Sequence, residues 1–200
     1  MVDARRRVVI AEDEALIRLD LREMLEEEGY QVAAEAADGE SAVALVLEHR
    51  PDLAVLDVKM PRLDGISAAE QIAAARAAPV VMLTAFSQRE LVERARAAGA
   101  MAYLVKPFSK ADLVPAIEMA MARYDELTTL EREVSDLRER LETRKLLDRA
   151  KGALQDRHSL DEAAAYRWIQ RTSMDRRMTM REVAELVVAE LQRPAAPGPA

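Results

Sequence analysis

The stretch Val55–Gly65, VLDVKMPRLDG, decides the fold. Apolar residues from Leu53 to Leu56 run directly into Asp57, and the chain then turns through Met60-Pro61 and the turn-forming pair Asp64-Gly65. A segment that is apolar at every position suits a strand covered on both faces, as in a parallel sheet with helices on either side. Such a strand ends on an acid for a reason if its end faces a crevice. In open parallel sheets, ligands bind in the crevice at the carboxyl ends of the strands.

The same alternation extends on both sides. VVIA (8–11) reads as a strand, and ALIRLDLREMLEEE (15–28) as a helix closed by Gly29. QVAAEA (31–36) is a strand, and GESAVALVLEHR (39–50) a helix stopped by Pro51, with His49 as a helix-end residue. A helix follows Gly65, then a strand PVVMLT (79–84), a capping box SQRE (87–90) opening the next helix, and a strand AYLV (102–105). Ser109 and Asp112 can cap a fifth helix. Five strand–helix units predict a five-stranded, parallel, doubly wound α/β domain over residues 1–123.

The fifth helix has no evident end before about Asp148. Leu127, Leu130, Val134, Leu137 and Leu141 recur at alternating spacings of three and four over residues 124–148. That is the seam of a short coiled coil or an intramolecular helix contact, and two heptads do not separate the two. An all-α module follows at 149–192, its helices opened by capping boxes SLDE (159–162) and TMRE (179–182), with Val183, Leu186, Val187 and Leu191 on one apolar face. Gly152 costs about 1 kcal/mol in a helix relative to alanine, which suggests close approach by another backbone. The tail 193–200, RPAAPGPA, is expected to be disordered.

Composition narrows the function. Cysteine is absent, which excludes disulfides and thiolate chemistry. Neither a signal peptide nor an apolar run of about 20 residues is present, so a cytoplasmic protein is expected, with no membrane partner. The net charge of −7 hides an asymmetry: residues 144–181 carry ten Lys/Arg against five Asp/Glu. An acidic body with a basic C-terminal module suggests two tasks.

The strand ends carry the chemistry of the first domain. Glu12 and Asp13 follow the first strand, Asp57 ends the third, Thr84 the fourth, and Lys106-Pro107 follow the fifth. Clustered carboxylates require a cation, and an all-oxygen donor set suits Mg²⁺. Asp57 is then placed as a nucleophile forming an aspartyl phosphate. Lys106 and the metal would neutralise phosphoryl oxygens, and the Thr84 hydroxyl could donate to one of them.

Residues 7–123 resemble the receiver domain of two-component response regulators, a flavodoxin-like fold. The features are AEDE (11–14), LDVKMPRLDG (56–65), MLTA (82–85) and YLVKPF (103–108). The resemblance implies that a sensor histidine kinase phosphorylates Asp57, and that Mg²⁺ is held by Glu12, Asp13, Asp57 and the Lys59 carbonyl. It also implies that Thr84, Lys106 and Tyr103 form the phosphate-sensing switch, and that the small Ala85 leaves the phosphate accessible. No enzymatic activity is implied beyond assistance to the domain's own phosphorylation and dephosphorylation. A dehalogenase-type phosphatase would need a second Asp where Lys59 stands, and no Walker-type loop is present.

In the basic segment, Arg167 and Arg171 share a helix face, Tyr166 and Trp168 interleave with them, and Arg176-Arg177 follow. Cations with aromatics suit an RNA loop, where phosphates are paired and splayed bases stacked. Leu160, Ala164 and Trp168 fall on one face, which places Trp168 in the core. Tyr166 fits core or surface. AKGAL (150–154), AAAYRWIQRTSMDRRM (163–178) and VAELV (183–187) resemble the ANTAR domain. That resemblance implies binding of RNA hairpins and transcription antitermination, with Lys151, Tyr166, Arg167, Arg171, Arg176 and Arg177 as the expected contacts. If the seam at 127–141 pairs two copies rather than making an intramolecular contact, a phosphorylation-dependent homodimer is also expected. The alternative is a DNA-binding regulator, but the last helix, MREVAELVVAEL, is acidic and apolar and would read a major groove poorly.

Overall fold

The structure is a computed structural model that describes residues 6–85 and 89–191. The chain divides between Thr128 and Thr129 into two compact units. The first holds strands β1 (Arg7–Ala11), β2 (Gln31–Ala36), β3 (Leu53–Asp57), β4 (Val80–Thr84) and β5 (Ala102–Val105). Between them run helices α1 (Ala15–Glu27), α2 (Gly39–His49), α3 (Gly65–Ala74) and α4 (Arg89–Ala97), and α5 (Lys110–His158) begins after β5. All strand pairings are parallel, in the order β2-β1-β3-β4-β5. This is the expected doubly wound sheet, and its topological switch lies between β1 and β3, where ligands bind in such folds.

Every residue of β3 and β4 is buried, because side chains alternate between two cores. Val9, Ala54, Leu56, Val80 and Met82 pack with Ala42, Val46, Ile66, Ala69 and Ile72 of α2 and α3. Val8, Ile10, Leu53, Val55, Val81 and Leu83 pack with Leu21 and Leu25 of α1 and Leu113 and Ile117 of α5. The fifth helix is opened by the expected cap, Ser109 N–H donating to the Asp112 carboxylate at 2.9 Å. Ser87 and Gln88 of the SQRE capping box and the tail 193–200 fall outside the described residues.

In the second unit, α5 continues to His158 and does not end near Asp148. It is followed by α6 (Glu162–Arg176) and α7 (Met180–Leu191). Ala150 and Leu154 of α5, Ala165 and Ile169 of α6, and Val183, Ala184 and Val187 of α7 form the core. Four sequence expectations are corrected here. The α6 cap is Asp161, which accepts from Ala164 N–H at 2.6 Å, and Ser159 instead turns the chain at φ 53°. Leu186 is half exposed, because the buried stripe of α7 takes Ala184 instead. A Cβ on Gly152 would meet nothing within 4 Å, so no backbone approaches there. Trp168 is 44% exposed. The buried stripe of α6 is Ala165, Ile169 and Ser173 at intervals of four, and Trp168 precedes Ile169 by about 100° of helix rotation. The TMRE box forms as expected, with Thr179 N–H on Glu182 at 2.6 Å and Glu182 N–H on the Thr179 hydroxyl at 3.2 Å.

Candidate functional site

The carboxyl ends of β1 and β3 bring Glu12, Asp13 and Asp57 together, with one carboxylate oxygen from each lying within 4.8 Å of the others. Glu12 is fully buried, Asp57 is 4% exposed, and Asp13 opens to solvent. Lys106, just beyond β5, reaches across β4 to this cluster. Its Nζ lies 2.5 Å from Glu12 Oε2 and 2.6 Å from Asp57 Oδ1. One ammonium thus serves two carboxylates. The bridge to Glu12 had no signal in the sequence, because 94 residues separate the partners.

The electrostatics follow from burial. Loss of water pushes the Glu12 carboxyl above its ordinary range, the Asp57 charge adds to this, and the hydrogen bond from Lys106 opposes it. Burial pulls Lys106 downward, but its hydrogen bonds to Asp57 and Glu12 outweigh that pull and hold the amine above its ordinary value. The ammonium therefore stays charged at neutral pH. The oxygen-only donor set, with a solvent-facing carboxylate at its mouth, fits a hard divalent cation.

Thr84, 4% exposed, lies one residue beyond the Asp57–Leu83 register pair. Its carbonyl accepts from Lys106 N–H at 2.7 Å, which ties the lysine's backbone to the end of β4. The Lys106–Pro107 peptide is cis. Tyr103, half exposed on β5, borders a cleft of about 350 Å³ with Val92 and Ala95 of α4 and Met119 of α5.

The loop 58–64 is built into the site. Lys59 N–H donates to Asp57 Oδ2 at 2.7 Å, and Gly65 N–H to the Val58 carbonyl at 2.9 Å. Arg62 pairs with Asp38, the cap of α2. Two helix-opening glycines make room for this loop. A Cβ on Gly39 would stand 2.1 Å from the Leu63 carbonyl oxygen, and one on Gly65 would stand 1.9 Å from that of Asp57. The Asp64-Gly65 pair therefore starts α3, with Asp64 accepting from Ser67 N–H at 3.0 Å. Arg18 of α1 was also missed in the sequence. It holds the Glu12 carbonyl at 2.5 Å.

In the second unit, Arg167, Arg171, Arg176 and Arg177 are exposed and make no side-chain hydrogen bond or ion pair among the described residues. Lys151 is engaged instead, at 2.8 Å from Asp148 and 2.9 Å from Glu162, which fastens the start of α6 to α5. Tyr166, like Trp168, is 44% exposed. Leu127, Leu130, Val134, Leu137 and Leu141 of α5 are each 45–63% exposed.

Comparison with known proteins places these features. Residues 8–118 match the response regulator receiver domain, and residues 135–188 match the ANTAR domain. The chain is 65% identical over 189 residues to the transcriptional regulatory protein PdtaR of Mycobacterium tuberculosis, covering 94% of this chain and 92% of that one. The signal receiver domain of NarL from Mycobacterium tuberculosis is similar at 29% identity and a TM-score of 0.57, over 59% of this chain and 97% of that chain. A CheX–CheY–BeF₃–Mg complex from Borrelia burgdorferi is similar at 29% identity and a TM-score of 0.54, over 60% and 89%.

Proposed function

Because the chain belongs to the response regulators, with an ANTAR domain following the receiver, we propose that phosphorylation of Asp57 by a sensor histidine kinase controls RNA-hairpin binding and transcription antitermination. The observation that carries the first half is Lys106 lodged between Glu12 and Asp57 at the strand ends. A carboxylate of Asp57 attacks the phosphorus of a phosphohistidine. The P–N bond breaks, the imidazole leaves with the bonding electron pair, and an aspartyl phosphate remains. Lys106 then turns its charge from the free carboxylate to the new phosphoryl oxygens, and the buried Thr84 hydroxyl donates to another. Glu12, Asp13, Asp57 and the Lys59 carbonyl would hold Mg²⁺, which when bound offsets charge on the transferring group. A CheY relative in complex with Mg supports that assignment. No described helix is long and apolar enough to cross a membrane.

Support for the second half is the set of unpaired arginines on a segment of local charge +5. The acidic, apolar α7 argues against major-groove reading. The domain limits 1–123, 124–148, 149–192 and 193–200 remain part of this proposal, with the seam at 127–141 pairing two copies. The half-exposed leucines favour that pairing over an intramolecular contact. Two modules in one dimer would gain affinity for paired hairpins through effective concentration.

The test is labelling with a small phosphodonor in Mg²⁺, followed by filter binding with hairpin RNA and duplex DNA. Asp57→Asn should lose the acid-labile label and the gain in RNA binding. Wild-type labelling of that variant, or tighter binding to duplex DNA than to RNA, would overturn the proposal.

A further inference from the structure

We propose that Trp168 is the platform on which an unpaired base of the bound RNA stacks, with Arg167 and Arg171 holding the phosphates beside it. This rests on the hairpin reading and names the group that recognises the loop. The α6 core uses Ala165, Ile169 and Ser173, which leaves the indole on the flank of the helix, 44% exposed. Arg171 lies one turn on, at i+3, and Arg167 immediately precedes it; residues three and four apart are neighbours on a helix surface. The residue one turn back, at i−4, is Ala164, whose methyl group is too small to cover the ring. A large flat apolar surface therefore stands in water beside two arginines on the same flank of α6, whose guanidiniums have no partner among the described residues.

Charge complementarity selects the occupant. A second copy would bring the same cations against these cations, whereas a nucleic acid brings phosphates at a spacing that arginines can follow. Within a nucleic acid, a duplex keeps its bases stacked on each other and offers no free face to the indole. An unpaired loop does, and base–aromatic stacking is the usual way proteins hold such bases. Tyr166 lies on the opposite flank, about 200° away, so one base cannot engage both rings.

Trp168 is the single tryptophan of the chain, so its fluorescence reports this contact directly. The full-length protein, treated with a small phosphodonor and Mg²⁺, is titrated with a hairpin RNA of paired stem and small unpaired loop, and with the same stem carrying an abasic loop. The hairpin should quench the indole emission, and the abasic control should leave it unchanged. Trp168→Leu keeps an apolar side chain on the flank and should weaken hairpin binding about tenfold. Its salt dependence should match the wild type, because no phosphate contact is lost, and Trp168→Phe should fall between the two. Arg171→Ala should instead reduce the salt slope by about one contact. Unaltered emission on saturation with hairpin, or wild-type affinity in Trp168→Leu, would overturn the assignment. So would a change in sedimentation without a change in RNA affinity, which would make the ring a protein contact. Failure of the wild type to bind the hairpin at all would instead refute the RNA reading itself.

Discussion

Gly65→Ala sets two effects against each other, and the structure decides the sign. Gly65 opens α3, and alanine is favoured over glycine in a helix by up to about 1 kcal/mol. A reading of local propensity alone therefore expects stabilisation. Yet the added Cβ would stand 1.9 Å from the Asp57 carbonyl oxygen, where ordinary contact begins near 3.4 Å. The obstructing atom is backbone, and β3 is paired on both sides, to β1 and to β4, so it does not yield easily. Relief must come from the loop and the start of α3. That movement breaks the Gly65 N–H bond to Val58, about 1 kcal/mol, and disturbs the Asp64 cap, about another 1 kcal/mol. Overpacking of this kind typically costs about 1–3 kcal/mol. The net expectation is a loss of about 2 kcal/mol, which lowers the urea midpoint by about 1 M. The loop also carries Lys59, whose N–H is bonded to Asp57, so labelling by a small phosphodonor should slow as well. Urea unfolding followed by circular dichroism, with labelling in parallel, measures both. A midpoint at or above that of the wild type would show that the loop yields freely and refute the reasoning.

Lys106→Ala leaves the buried Glu12 facing Asp57 without its cation, so the metal-free protein should lose about 3 kcal/mol of stability. Mg²⁺ should restore more stability to this variant than to the wild type in thermal unfolding, and residual labelling should no longer alter RNA binding. Leu130→Asp with Leu137→Asp should reduce dimerisation and RNA affinity in sedimentation while sparing Asp57 labelling; unchanged sedimentation of the phosphorylated protein would remove the seam from the scheme. Asp38 is held below the usual carboxylate range by the hydrogen bond from Ser41 N–H, with Arg62 adding to this. A lowered folded value means that the stabilisation is present above the unfolded value of ~4 and is lost as pH falls through the folded one. Asp38→Asn keeps a capping side chain but removes its charge from the helix N-terminus and from Arg62, so it should cost about 1 kcal/mol at pH 7, and the difference should shrink on acidification below ~pH 4 in urea titrations.

Much of this protein was legible in its residues because the signals are local. A strand buried on both faces announces itself in LAVLD, and the first two βα units end at Gly29 and Pro51. Strand ends converge by topology alone, so Glu12, Asp13, Asp57, Thr84 and Lys106 could be placed in one crevice before any distance was known. The TMRE box needed only spacing four residues long. Where the outcome depended on atoms distant in sequence, the residues were silent. That Lys106 serves Glu12 as well as Asp57, and that Leu63 and Asp57 press their carbonyls against Gly39 and Gly65, follows from how loops pack across the sheet. Trp168 shows the limit most clearly. A face drawn through Leu160, Ala164 and Trp168 is self-consistent on a helical wheel, but the wheel does not say which way the helix is turned. The contacts of Ala165 and Ile169 with α5 and α7 set that rotation, and in doing so they left the indole in water.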